Sequence, residues 1–301
     1  MKIPGSCGRS SAPEKTGGML YAILLSCVGD RLVLIRGKRT GGKMGAATVA
    51  LLACLFGSAL LQPFEAWSGD LTIAAASDLN FAFKELVAEF EKRTGNHVKL
   101  SLGSSGNFYS QIQNGAPFDL YFSADIGYPM KLQEAGYAVP GSLYRYAVGR
   151  IVLWAPAGSP LELEKLGMDV LLDPSIRRIA IANPKHAPYG RAAVAAMQHF
   201  KVHEPAKDKL VLGENISQAA QFVESGASDI GLIALSLALA PAMKAAGKYW
   251  EIPSEAHPPL EQGAVILKNA KNKAPAKQFL EFVRGPEGQE IMRRYGFTLP
   301  G

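Results

Sequence analysis

The stretch Ala74-Ala75-Ala76-Ser77-Asp78-Leu79 ends a short apolar run, and Gly103-Ser104-Ser105-Gly106 ends the next one along the chain. Each places hydroxyl-bearing residues where a strand is predicted to stop and an amphipathic helix to start. The first turn of a helix has unpaired backbone N–H groups and a partial positive charge. Two such helix starts at one crevice would hold a small anion without Lys or Arg. Before any catalytic motif is considered, this pattern therefore favours a binding function.

From residue 69 onward, short apolar runs alternate with longer helical patterns, which predicts α/β lobes whose mainly parallel sheets are flanked by helices. Ligands of such sheets bind at the carboxyl ends of the strands, where the serines above lie. We predict strands at 71–76, 98–102, 119–123, 151–155, 179–182, 210–212, 230–234 and 263–267, and helices at 81–93, 107–113, 128–135, 191–200, 217–225, 235–245, 274–284 and 286–295.

Two further predicted helix starts carry neutral donors. A rigid loop with Pro184 and Pro188 places the phenolic O–H of Tyr189 at a helix start, although an aromatic ring packed on Pro188 is the simpler interpretation. Asn215-Ile216-Ser217-Gln218 has the pattern of a capping box, which leaves the N–H of Ile216 free for a ligand. An ordinary capped helix explains it equally well, as an ordinary N-cap explains Ser77.

The first 68 residues differ from the rest of the chain. They hold eight of the 32 Lys and Arg residues but three of the 26 acidic ones, so the net charge of +6 falls to about +1 without them. Basic residues before residue 44, an apolar run at 46–61 and the small-residue pattern Ala66-Trp67-Ser68 are typical of a signal peptide. We expect a leader over 1–68, with the signal peptide at about 44–68 and the part upstream of it arising from a start codon placed too far upstream.

Two other interpretations of the leader remain open. The apolar run is short for a membrane span, but a retained anchor is one alternative. Leu51-Leu52-Ala53-Cys54 weakly resembles a lipoprotein cleavage box, which makes lipid attachment the other. All three cysteines lie in this segment, so the chain after residue 69 can form neither disulfides nor thiolate metal sites. The basic residues of the leader are no evidence for a nucleic-acid partner.

The sequence gives little support for an enzyme. No HExxH, G-x-S-x-G or P-loop pattern occurs. His199 and His203 have helical spacing but no third ligand is evident, and we expect Asp119 and Asp125 to be solvated or turn-capping rather than an acid/base pair. We expect no catalytic residues and no cofactor.

Several motifs after residue 70 occur in the order found in one known family. They are Leu71-Thr-Ile-Ala-Ala-Ala-Ser-Asp-Leu79, Phe118-Asp-Leu-Tyr-Phe-Ser-Ala-Asp125, Gly231-Leu-Ile-Ala-Leu-Ser236 and Gly285-Pro-Glu-Gly-Gln-Glu-Ile-Met-Arg-Arg-Tyr-Gly-Phe297. In these motifs the chain resembles the periplasmic molybdate-binding proteins, which are the solute receptors of ABC-type molybdate importers.

The resemblance implies a two-lobed periplasmic binding protein fold that closes on a tetrahedral oxyanion, molybdate or tungstate, in the cleft between the lobes. It implies lobe I from residues 69–149 and 250–301 and lobe II from residues 150–249. The implied ligand contacts are Ser77, Ser105, Tyr189 and Ile216, which bind oxygen atoms of the anion and do not contact the metal. The implied partner is a membrane permease, and we expect a monomer.

The chain departs from the family pattern at one position. Some members have a Tyr where this chain has Ala234, and Tyr189 supplies a hydroxyl instead in members that share Pro-Tyr-Gly. Hydroxyls and amides in a dry cleft would bind a dianion by charge-assisted hydrogen bonds and would select by size. A receptor for sulfate, phosphate or a small carboxylate remains the alternative.

Overall fold

The computed structural model describes residues 27–28, 31–32 and 70–299. The chain divides into two units, residues 1–64 and residues 65–301. In the first unit, strands Cys27–Val28 and Arg31–Leu32 pair in antiparallel fashion. The predicted signal peptide and its cleavage site lie outside the described residues. Within the described residues, no helix is both long enough and apolar enough to span a membrane.

The second unit contains two five-stranded sheets. The order across the first is His97–Gly103, Asp70–Ala76, Leu120–Ser123, Leu260–Ile266, Tyr144–Gly149. Its first three strands are parallel, and Leu260–Ile266 runs antiparallel to both of its neighbours. Ala76 lies opposite Gly103 in the register. The residues that follow these two strands therefore emerge side by side at one edge of the sheet.

The second sheet repeats this plan. Its order is Gly247–Glu251, Ile151–Pro156, Ile230–Ala234, Ile179–Ala182, Leu210–Gly213. The last three are parallel, and Ile151–Pro156 runs antiparallel to both of its neighbours. Ala182 lies opposite Gly213, so the loops leading to the next two helices also start from one edge.

Helices flank both sheets because their apolar faces are buried against the strands. In helix Asn80–Thr94 the buried residues include Phe83, Leu86 and Phe90, and Gly95 ends the helix with a positive φ of 69°. The other α-helices of residues 70–299 are Ser105–Gln113, Gly127–Glu134, Leu163–Leu166, Pro188–His199, His203–Ala206, Ile216–Glu224, Leu235–Ala238, Pro241–Ala246, Lys273–Arg284 and Pro286–Arg294. The 3-10 helices of the same residues are Ser77–Leu79, Gly167–Leu172, Lys207–Lys209 and Ser254–Ala256.

The chain passes between the sheets twice, after Gly149 and between Glu251 and Leu260. The strand that follows each passage, Ile151–Pro156 or Leu260–Ile266, runs antiparallel to its neighbours in the sheet that it joins. The two-lobed α/β fold is confirmed. In each sheet four of the five strands run in one direction and the strand that follows the passage is reversed, so the sheets are mainly parallel but mixed. The exact lobe limits stay a prediction. The predicted boundary between residues 249 and 250 falls inside strand Gly247–Glu251, which pairs with a strand of the second sheet.

Three local expectations were wrong. The sequence pattern did not indicate strands Tyr144–Gly149 and Gly247–Glu251, which carry few of the apolar runs used to find strands. The helix expected at 235–245 is two short helices, Leu235–Ala238 and Pro241–Ala246. Pro241 has no N–H and its ring crowds the preceding turn, so it starts a new helix instead of extending the old one.

Candidate anion-binding site

One small cavity lies where the edges of the two sheets meet. The space inside it that the centre of a water-sized solute can occupy is about 10 Å³, close to what one water molecule needs, so the cavity suits only a very small solute. Twelve residues line it, and they are Ala76, Ser77, Asp78, Gly103, Ser104, Ser105, Ala124, Ala187, Pro188, Tyr189, Asn215 and Ile216. None of the twelve is Lys, Arg or His. The four residues expected at the site therefore line the same space.

Ser77 and Ser105 form the wall contributed by the first sheet. Ser77 directly follows strand Asp70–Ala76 and begins the 3-10 turn that precedes helix Asn80–Thr94. Ser105 is the first residue of helix Ser105–Gln113. Neither occupies an N-cap position, since Ala76 precedes the 3-10 turn and Ser104 precedes the helix. The alternative interpretation of Ser77 as an ordinary N-cap is therefore wrong.

The hydroxyls of Ser77 and Ser105 act as acceptors. Ser105 Oγ accepts from the N–H of Ala124 at 3.0 Å, and Ser77 Oγ accepts from the N–H of Ser217 at 3.3 Å. A hydroxyl has one proton in addition to its lone pairs. Among residues 70–299 neither hydroxyl donates to another group, so both protons remain available to a solute in the cavity.

Ser104 has a different role from its neighbour Ser105. Its hydroxyl donates to the backbone carbonyl of His186 at 2.6 Å, and Nδ1 of His186 lies 2.9 Å from the Ser104 hydroxyl oxygen. The N–H of Gly106 donates to that carbonyl at 2.9 Å. A Cβ on Gly106 would lie 2.6 Å from the His186 carbonyl oxygen, so this approach requires glycine. The Gly-Ser-Ser-Gly loop thus holds the second lobe against the first.

Ile216 begins a helix whose cap is the one expected. The Asn215 side chain accepts from the N–H of Gln218 at 3.1 Å, which confirms the capping box. Gln218 reaches back to the N–H of Glu214 at 2.6 Å. The N–H of Ile216 donates to none of the described residues, while its apolar side chain is buried. This end of the helix presents a backbone donor to the cavity and keeps water away from it.

Tyr189 is buried at the start of helix Pro188–His199, but its hydroxyl is already engaged. It donates to Oδ2 of Asp78 at 3.1 Å, and Nε2 of Gln262 lies 2.6 Å from Oδ2 and 3.3 Å from the hydroxyl. A Cβ on Gly149 would lie 2.2 Å from the Tyr189 hydroxyl, so the passage between the lobes must carry glycine there. The simpler interpretation, a ring at the rim packed on Pro188, is wrong because the ring is 2% exposed.

Asp78 lines the cavity and was not singled out by the sequence reasoning. It lies within the quoted Ala-Ala-Ala-Ser-Asp motif, and it is 1% exposed. Burial raises the pKa of its carboxyl to about 6, against the lowering effect of hydrogen bonds from Gln262 and Tyr189. Within the described part of the chain, Oδ1 of Asp78 and Oε1 of Gln262 make no hydrogen bond. An acidic residue in the first turn after a strand was the signal available.

Arginine and the exposed acidic side chains lie around the cavity rather than in its lining. Arg191 pairs with Asp125 at 2.5 Å across the cleft, and its guanidinium lies 5.7 Å from the ring centroid of Tyr128. Asn107 donates to Glu214 at 2.5 Å, also across the cleft. We call these two pairs, which are both exposed, the rim. Ser217 also donates to the Ser77 carbonyl at 2.8 Å, which adds a contact between the lobes beside the cavity.

The residues considered for catalysis have structural contacts instead. Asp119 accepts from the backbone N–H groups of Thr72, Lys271 and Asn272, and Asp125 accepts from that of Gly127. Within the described residues, no three His, Cys, Asp or Glu side chains lie together as a metal site would require.

Comparisons with known proteins agree with this geometry. Residues 71–298 match the family of bacterial extracellular solute-binding proteins. The chain is 40% identical to the molybdate-binding protein ModA of Rhodobacter capsulatus, over 84% of this chain and 96% of that one. The structure of the Azotobacter vinelandii periplasmic molybdate-binding protein superposes with a TM-score of 0.72 at 37% identity, covering 77% of this chain and all of that one.

A more distant likeness concerns the fold alone. The sulfate-binding protein SubI of Mycobacterium tuberculosis superposes with a TM-score of 0.60 at 16% identity. Two helix-flanked sheets around a small polar cavity define a two-lobed solute receptor. The chain belongs to the bacterial extracellular solute-binding protein family.

Proposed function

We propose that this protein captures molybdate, and tungstate by the same contacts, outside the cytoplasm and delivers it to an ABC permease. The observation that carries the proposal is the cavity of about 10 Å³ lined by hydroxyl and amide donors and by no cationic side chain. The molybdate-binding relatives support the choice of ligand. The periplasm is the proposed location, and the proposed state is a monomer that needs no cofactor and no nucleic acid.

The donor set explains why such a cavity would select a tetrahedral oxyanion. Hydrogen bonds from neutral donors to an anion are about twice as strong as those between neutral partners, so several of them offset its loss of hydration. The donors stand on helix starts and strand ends, so their spacing is rigid. A smaller oxyanion such as sulfate leaves some of them unsatisfied in a water-poor space, which costs affinity.

Ligand selectivity is tested by titrating the protein from residue 69 onward with molybdate, tungstate, sulfate and phosphate, followed by calorimetry and by tryptophan fluorescence. Trp154 is buried and Trp250 is half-buried in adjacent strands of the second sheet, so their fluorescence reports on changes within that lobe. We expect molybdate and tungstate to bind at micromolar concentrations or below and sulfate to bind more weakly. Tighter binding of sulfate, phosphate or a carboxylate would favour the alternative receptor.

Ser105→Ala is the sharpest single test of the site. Because it removes a hydroxyl proton available to the anion and an acceptor for the Ala124 N–H, we expect molybdate affinity to fall at least about tenfold. Ser110→Ala is the matched control, since Ser110 is exposed on the same helix. Equal affinities for the two variants would remove Ser105 from the site.

A further inference from the structure

Asp78, Tyr189 and Gln262 form a hydrogen-bonded cluster beside the cavity. With Asp78 ionised, this cluster is unfavourable for a bound anion. The Asp78 carboxylate receives the single proton of the Tyr189 hydroxyl and an N–H of Gln262 on the same oxygen, Oδ2. Of these three, Asp78 comes from the first turn after a strand of the first sheet and Gln262 from another strand of that sheet, while Tyr189 belongs to the second lobe. The cluster therefore joins the two lobes beside the ligand space.

The direction of the Tyr189 proton decides what the cavity offers. A phenol has one O–H, and with Asp78 ionised that proton is held by the carboxylate. Tyr189 then turns a lone pair, not a donor, toward an entering oxyanion. The buried negative charge of Asp78 repels a dianion as well, with little solvent to screen it. In this state one of the four expected contacts is missing.

A proton on Asp78 reverses both effects. Protonated Oδ2 donates to the Tyr189 oxygen across the same 3.1 Å, and the Tyr189 proton is free to turn toward the cavity. Gln262 remains a donor to both oxygens, at 2.6 Å and 3.3 Å. The balance is one proton taken from solvent and retained on the carboxyl, with no other bond made or broken.

We propose, on the basis of the proposed function, that Asp78 is a positioning residue for Tyr189: one proton taken up by its carboxyl when an oxyanion binds turns the Tyr189 hydroxyl into a donor to that anion. Oxyanion capture is then linked to proton uptake.

The groups that face Asp78 are consistent with this state. Tyr189 and Tyr146 are the titratable neighbours, and burial raises the pKa of both well above the ordinary value, so both stay neutral. Gln262 and Ser236, whose hydroxyl donates to the Asp78 carbonyl at 2.7 Å, are uncharged. Burial already raises the pKa of Asp78 to about 6 without an anion. A dianion in contact raises it further, because a like charge disfavours ionisation.

The test is calorimetry of molybdate binding between about pH 6.5 and about pH 8.5, with each pH measured in two buffers of different ionisation heat. In the wild-type protein we expect uptake of up to about one proton per anion and an affinity that falls by as much as tenfold per pH unit. Asp78→Asn carries an amide N–H that can donate to Tyr189 permanently. We expect its binding to be independent of pH, without proton uptake, and tighter than wild type at about pH 8.

Two variants separate positioning from simple repulsion. At about pH 8, Asp78→Asn should raise the logarithm of the molybdate affinity in the otherwise wild-type protein. In the Tyr189→Phe background we expect less than half of that increase, because the Tyr189 proton that the substitution redirects is absent. Wild-type binding without pH dependence or proton uptake would overturn the proposal, and that measurement needs no variant to fold. A gain of the same size in the Tyr189→Phe background would overturn the positioning role. Absence of molybdate binding in every variant at every pH would refute the proposed function instead.

Discussion

The cavity and the rim around it hold the same two lobes together by different means. The cavity is lined by hydroxyls, backbone amides and one buried carboxyl, whereas the rim consists of exposed pairs such as Arg191 with Asp125. Fixed donors in a water-poor space act strongly on a bound anion. An exposed ion pair contributes roughly 0 to 1 kcal/mol because water and salt screen it. The contrast indicates that the inner contacts set affinity and selectivity and that the rim mainly assists closure.

The largest expected effect tests whether closure depends on close backbone fit. Gly106→Ala would bring a Cβ to 2.6 Å from the His186 carbonyl oxygen, a backbone atom that cannot move alone. We expect molybdate affinity to fall about hundredfold, because the clash with backbone lies between the two lobes. The thermal unfolding of the ligand-free protein should change less, since the nearest atom within the first lobe is the Tyr128 hydroxyl at 2.9 Å, which is the end of a side chain that can shift. The readouts are calorimetry and differential scanning calorimetry.

Gly158→Ala is the control for this comparison, since a Cβ there meets no atom within 4 Å. We expect wild-type affinity from it. If Gly106→Ala also kept wild-type affinity, close contact between the lobes would be unnecessary for binding. The inner contacts would then affect the affinity no more than the rim does.

A smaller effect concerns stability and the buried carboxyl. The folded pKa of Asp78 is about 6, above the ordinary 3.8, so its stabilising contribution is complete below about pH 3.8 and is lost as the pH rises through about 6. We expect Asp78→Asn to unfold roughly 5 °C higher than wild type at about pH 8 in the absence of ligand, with the difference shrinking toward about pH 4. A difference that is the same at both pH values would show that Asp78 carries no buried charge.

The smallest effect is expected at the rim. Arg191→Ala removes an exposed ion pair and a cation–π contact with Tyr128, so we expect a loss of about two- to threefold in molybdate affinity at low salt. The loss should shrink in about 0.5 M NaCl because salt screens exposed charges. Stopped-flow fluorescence at both salt concentrations measures it. If Arg191→Ala lowered molybdate affinity as much as Ser105→Ala does, the rim would matter for affinity as much as the cavity.

Local patterns were sufficient to predict several parts of the site. Ser77 and Ser105 follow buried apolar strands, and a parallel sheet brings the ends of adjacent strands together. The capping box at Asn215–Gln218 was predictable because it involves residues three apart in the chain. The pattern placed Tyr189 at a predicted helix start, and the family resemblance implied that it lies with these residues; its role as a ligand stays a prediction.

Other features depend on residues far apart in the chain. The local pattern does not distinguish Ser104 from Ser105, and the family resemblance alone implied Ser105. The tertiary structure gives the physical difference, because Ser104 donates to His186 whereas, within residues 70–299, the Ser105 hydroxyl only accepts. The partners of Asp78 come from Tyr189 and Gln262, which are 111 and 184 residues away. Its neutral or ionised state follows from burial, which no local pattern reports.

The sequence by itself determined the alternation of strands and helices, the polar residues at their junctions and the resemblance to anion receptors, because these follow from nearest neighbours along the chain. Only the tertiary structure decided that Leu260–Ile266 and Ile151–Pro156 run in reverse, that Gly149 makes room for Tyr189, and that the Tyr189 proton is engaged by Asp78. The physical reason is that direction of pairing, close approach and desolvation arise between segments, not within them.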